Sequence, residues 1–142
     1  MVWQVYGTRS VNQVLRIGGA GMADIVVKAA YGSVVEDDGM LFVGFAEGEG
    51  EDEPYVLFRQ PLGGGPVWLE VNDEGFGAED AVERVVEGPK GLEITLRPGK
   101  AAAFGYAVSV AVRIGPGCED AGETLEALRG MLGGVMTGAA AG

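Results

Sequence analysis

Residues 82–98 read VERVVEGPKGLEITLRP, and this stretch decides the fold class. Its centre, Gly88-Pro89-Lys90-Gly91, is turn chemistry: proline pre-sets one backbone angle and glycine permits the others. Apolar runs flank it over Ala81–Glu87 and Leu92–Arg97, which reads as a hairpin. In the second run Leu92, Ile94 and Leu96 fall on one face, and Glu93, Thr95 and Arg97 on the other. That period of two belongs to a strand buried on one side and wet on the other, the habit of antiparallel sheets.

The same grammar extends in both directions. Upstream, Tyr55–Gln60 (YVLFRQ) and Val67–Asn72 (VWLEVN) read as strands around Pro61–Pro66 (PLGGGP), a turn that no strand interior tolerates. Met40–Ala46 and Asp24–Ala30 are further strands, with Ser33–Gly39 (SVVEDDG) between them as a turn. Glu47–Glu53 (EGEGEDE) and Asp73–Asp80 (DEGFGAED) are polar loops. Downstream, Pro98–Phe104 is a short connection with a helical turn over Ala101–Phe104. Tyr106–Ile114 alternates, with Val108, Val110, Val112 and Ile114 on one side, until Gly115-Pro116-Gly117 ends it.

Glu119–Leu132 is the convincing helix. Asp120 is placed to cap it, acids lie toward its N-terminal half and Arg129 sits in its last turn. Leu125, Leu128, Met131 and Leu132 form one apolar stripe that needs a surface to pack on. Gly133-Gly134 stops the helix, and residues 133–142 read as a disordered small-residue tail. The fold class expected is α+β: a largely antiparallel sheet of six or more strands with one C-terminal helix on a face. A sandwich or half-barrel closed by the helix is the alternative.

Residues 22–132 read as a single domain. Met1–Gly21 ends in Gly18-Gly19-Ala20-Gly21, after which Met22-Ala23-Asp24 resembles a second start. Three readings of it are open: added strands over Val2–Tyr6 and Val11–Ile17, a flexible arm, or sequence upstream of the true start. The last two are favoured.

The chain of 142 residues carries 21 acids against 10 bases, a formal charge of −11. That balance repels nucleic acid and anionic lipid and attracts a basic surface; it also keeps a protein soluble. The opening residues lack the uninterrupted apolar core of a signal peptide, and no run reaches the roughly 18 apolar residues of a membrane helix. The lone Cys118 allows no internal disulfide. A cytoplasmic location is expected.

Histidine is absent, which removes the commonest general base and metal ligand. Ser10, Ser33 and Ser109 sit in no nucleophile elbow. Cys118 lies beside Glu119 and Asp120, whose charge should raise its pKa and blunt it as a nucleophile. Gly63-Gly64-Gly65 has no lysine or helix start after it and is a hairpin tip rather than a phosphate cradle. The carboxylate pairs Glu70 with Asp73 and Glu74 with Asp80 are the basis of an alternative function, a small-molecule or sugar-processing domain. No catalytic residue, metal or cofactor is expected.

A protein-binding surface is the main functional expectation. Two acid clusters stand out: Glu36-Asp37-Asp38 with Glu47–Glu53, and Glu70–Glu74 with Glu79-Asp80. On an alternating strand Trp68, Glu70 and Asn72 share a face, an aromatic anchor among acids. The competing reading places Trp68 in the core and leaves the acids merely exposed. The candidate partner-binding residues are Trp68, Glu70, Asn72, Asp73, Glu74, Glu51, Asp52 and Glu53.

These segments also carry a likeness. YVLFRQP, VWLEVNDEGFG, VERVVEGPKGLEITLRP, the AAAFG stretch, an alternating strand and a closing ETLEALRGML resemble the immunity protein 10 family of bacterial polymorphic toxin systems. The likeness runs from about Ala23 to Leu132. The triple-glycine turn and the order Arg59-Gln60 depart from the family's pattern. The resemblance implies a non-enzymatic protein that binds and neutralises a cognate toxin. The acidity adds a preference for a toxin with a basic cleft, such as a nuclease.

Overall fold

A computed structural model describes residues 23–138. Met1–Gly21, with the three readings of it, lies outside the described residues. The chain order is β1 (Ile25–Asp37), β2 (Met40–Ala46), β3 (Tyr55–Pro61), β4 (Trp68–Val71), β5 (Gly77–Glu79), β6 (Val82–Gly88) and β7 (Gly91–Leu96). A 3-10 helix over Pro98–Phe104 leads to β8 (Ser109–Glu119) and α1 (Ala121–Leu132). A second 3-10 turn over Gly133–Val135 leads to β9 (Met136–Gly138). The strands form one nine-stranded sheet in the order β5-β4-β3-β2-β1-β8-β7-β6-β9. Two antiparallel meanders, β1 to β5 and β6 to β8, meet where β1 runs parallel to β8. The fold is therefore α+β and mostly antiparallel, with the one α-helix among the described residues packed on the sheet.

The sheet cannot be flat. β5 is one edge and β6 lies seven strand spacings away, which would be about 34 Å in a plane. Yet only Asp80 and Ala81 join them, and three Cα steps reach about 11 Å. The sheet must curl until its ends approach. Phe76 meets Phe104 edge to face there, with ring centroids 5.8 Å apart, and Arg97 N–H donates to the Ala81 carbonyl at 2.8 Å. The inner face then holds one core: Val27, Val43, Phe45, Val56, Phe58, Leu69, Ile94, Val110 and Val112 are all fully buried. Leu128 and Leu132 of the helix stripe join it. Gly32 lets α1 come close, because a side chain there would strike Thr124 Oγ1.

Several boundaries depart from the sequence reading. Ser33–Asp37 is not turn but the second half of a 13-residue β1. The turn is only Asp38-Gly39, both with positive φ (52° and 78°), the two-residue hairpin geometry that Asp-Gly favours. A β-bulge between Ala29 and Tyr31 hides the continuity. Below it Val27 and Ala29 belong to the core; above it Gly32 and Val34 pair with core-facing Phe45 and Val43. The inward parity switches from odd to even, so no single alternation runs through the strand.

β8 also continues through Gly115-Pro116-Gly117 to Glu119, which pairs with Tyr31. Four residues of β8 face one residue of β1 there, so the glycines make an irregular bulge instead of an end. Val108 precedes the strand and is exposed, unlike Val110 and Val112. The Asp73–Asp80 loop contains the short strand β5. The expected small-residue tail is ordered over Gly133–Gly138, where Met136 enters the core and β9 pairs parallel with β6. Residues 139–142 lie outside the described residues. Asp120 precedes α1 with left-handed backbone and makes no side-chain cap; its carbonyl instead accepts from Thr124 N–H at 3.1 Å and Thr124 Oγ1 at 2.8 Å.

Candidate functional site

Trp68 and Glu70 do share the outer face of β4, as the alternation requires, but Glu70 is not an exposed acid. It is only 3 % exposed. Its Oε1 accepts from Trp68 Nε1 at 2.8 Å, and its Oε2 accepts from the Tyr55 hydroxyl. Tyr55 reaches it diagonally from β3, where Leu57 is its direct partner. A buried carboxylate is tolerated because both oxygens receive donors. Burial first, and the bond to Glu70 second, hold the Tyr55 phenol far above its ordinary value of 10.0. Trp68 is partly buried, and the Arg59 guanidinium lies 4.8 Å from its ring centroid. Glu70 therefore braces the outer face and cannot meet a partner directly.

The other expected residues lie at one end of the sheet. Asn72, with φ of 65°, turns the chain out of β4, and its Oδ1 accepts from Tyr55 N–H at 2.9 Å. Asp73 Oδ1 accepts from Gly75 N–H at 3.0 Å, which leaves Glu74 at the exposed turn. Because only Pro54 separates Glu53 from Tyr55, and Asn72 N–H donates to the Tyr55 carbonyl at 3.0 Å, the loop holding Glu51, Asp52 and Glu53 stands beside Asp73 and Glu74. The sequence clusters regroup accordingly. Glu36-Asp37-Asp38 lie at the opposite end of β2 from Glu47–Glu53, about 20 Å away along the strand. Glu79 pairs with Trp68, and Asp80 N–H donates to Val67, so both sit at the far end of the β4–β5 hairpin from Glu74. Neither carboxylate pair comes together: Glu70 faces Tyr55 and Trp68 while Asp73 accepts from Gly75, and Glu74 and Asp80 stand at opposite ends of the β4–β5 hairpin.

A second grouping joins Glu49, part of an acid cluster in the sequence, to Glu119, Asp120 and Glu123, which the sequence shows only as the start of a helix. β8 runs parallel to β1 and ends at Tyr31, so the start of α1 arrives beside the middle of β1. There an open groove of about 500 Å³ is lined by Tyr31, Ser33, Glu49, Glu119, Asp120 and Glu123, and among the described residues no lysine or arginine lines it. The Tyr31 hydroxyl donates to the Gly48 carbonyl at 3.1 Å. Its phenol is raised above its ordinary value by burial, then by the charges of Glu49 and Glu53. Cys118 lies in the adjoining bulge, its thiol raised by burial and then by Glu119 and Asp120. The only signal for this juxtaposition is the β1–β8 pairing, which no local pattern carries.

Among the described residues no group of three or more histidine, cysteine, aspartate or glutamate side chains is arranged to hold a metal ion. No described helix is long and apolar enough to cross a membrane. No family model, characterised protein or solved structure matches this chain.

Proposed function

We propose that this chain is a non-enzymatic, cytoplasmic immunity protein that binds a cognate toxin with a basic surface and blocks it. The observation that carries this reading is the acidic groove: Glu49, Glu119, Asp120 and Glu123 gather around Tyr31 with no base among the described lining residues. The acids Glu51, Asp52, Glu53, Asp73 and Glu74 extend the negative field around the same end of β3. Such a field accelerates docking of a cationic protein and selects against anionic ones. A nuclease, whose substrate cleft is basic, is the toxin class this charge suits best.

The test is co-purification with the protein encoded by the neighbouring gene, followed by binding kinetics and assay of that protein's toxicity. The association rate should fall steeply as salt is raised, and should drop roughly tenfold or more in a Glu49→Lys, Glu123→Lys double variant. Binding indifferent to both salt and these reversals would refute the reading.

A further inference from the structure

We propose that the floor of the acidic groove is an unpaired strand edge that captures an extended basic segment of the partner by strand addition. The inference rests on the proposed function and specifies how that site would bind. Asp38-Gly39 is a two-residue turn, so Asp37 and Met40 exchange both main-chain bonds across the hairpin. Alternation then directs Val35 and Ser33 toward β2 and sends the N–H and C=O groups of Val34 and Glu36 to the other side. On that other side β8 stops at its Tyr31–Glu119 pair. Among the described residues no strand continues alongside Ser33–Asp37 there.

The groove takes in the start of this edge at Ser33 and Val34: Ala30 to Val34 line it together with Glu119, Asp120 and Glu123 from the β8–α1 corner and Glu49 from the loop after β2. An unpaired edge is a ready template for another chain, and main-chain bonds supply affinity for an added strand. The acids choose its composition. A segment bearing lysine or arginine at alternate positions would set them against these carboxylates, whereas an acidic segment would be repelled.

The experiment is amide hydrogen exchange on the full chain with a synthetic peptide alternating lysine and valine, and with its glutamate–valine counterpart. The lysine peptide should slow exchange at Val34 and Glu36 at least tenfold and leave Val35, already bonded to β2, unchanged. The glutamate peptide should do nothing. Val34→Pro removes an N–H that β2 does not use and should abolish capture. The exchange result on the unaltered chain stands even if that variant fails to fold. Equal protection by both peptides, or none by either, would overturn the proposal; in the second case the acids only guard the edge. So would amides already protected in the full chain and released by deleting residues 1–21, since the chain would then cover its own edge. Salt-sensitive toxin binding that leaves these two amides untouched would remove strand addition and keep the immunity reading. Loss of toxin binding altogether would remove both.

Discussion

Glu70 answers two buried or half-buried donors at once, and this makes it the most consequential acid in the chain. Glu70→Ala would remove the acceptor that the Tyr55 hydroxyl and Trp68 Nε1 share, at roughly 1–3 kcal/mol for the Trp68 donor alone. Urea unfolding should show that loss, and Glu70→Lys, which buries an ammonium among the same groups, should be worse. The phenols make a separate statement about pH. Tyr55 and Tyr31 keep their protons above the ordinary value of 10.0, near which they would ionise in the unfolded chain. Their stabilisation is thus complete below pH 10 and is lost as pH climbs from there through the raised folded values. Denaturant midpoints should be insensitive to these groups below pH 10 and fall above it. That Trp68 and Glu70 share a face was legible from a period of two. That the face is buried at Glu70 was not, because burial there comes from Tyr55 on the neighbouring strand.

The elements divide by how local their cause is. β7 was readable outright, because Leu92, Ile94 and Leu96 alternate without interruption between a turn and a proline. The helix stripe was equally plain. β1 was cut short because its bulge changes which residues face inward, and the acids of Glu36-Asp37-Asp38 imitate a loop. Asp38-Gly39 held the missed signal, a dipeptide suited to a turn with φ positive at both positions. Helix packing gives two tests. Leu128→Ala should cost about 2–5 kcal/mol, since that side chain is fully buried against the sheet. Gly32→Ala should lower the melting temperature, and Thr124→Ala should recover part of the loss, because Thr124 is what the new methyl would strike. Additive effects in that pair would show that α1 does not approach the sheet at Gly32.

At the scale of the molecule, closure makes one cooperative unit of two meanders. The core cluster draws residues from β1 to β4, β6 to β8, α1 and β9, so neither half can shed its partner cheaply. In a Trp3→Phe background, Trp68 fluorescence and far-ultraviolet circular dichroism should follow a single urea transition. Two separated transitions would mean that the meanders fold independently. Met136, which pins β9 beside β6, should also matter: its replacement by alanine should cost about 2–5 kcal/mol, a loss no dispensable tail would show.

Local chemistry determined most of the strands, the helix and the sign of the surface, because alternation, turn residues and net charge act within a few positions of one another. Which acids stand together was decided only by the tertiary structure. Tyr31 and Glu119 meet because β1 and β8 pair in parallel, and Asp73 approaches Glu53 because β4 returns alongside β3. Sheet register is set by the fit of whole apolar faces across the core, and a carboxylate contributes nothing to that fit until the strands that carry it have found their neighbours.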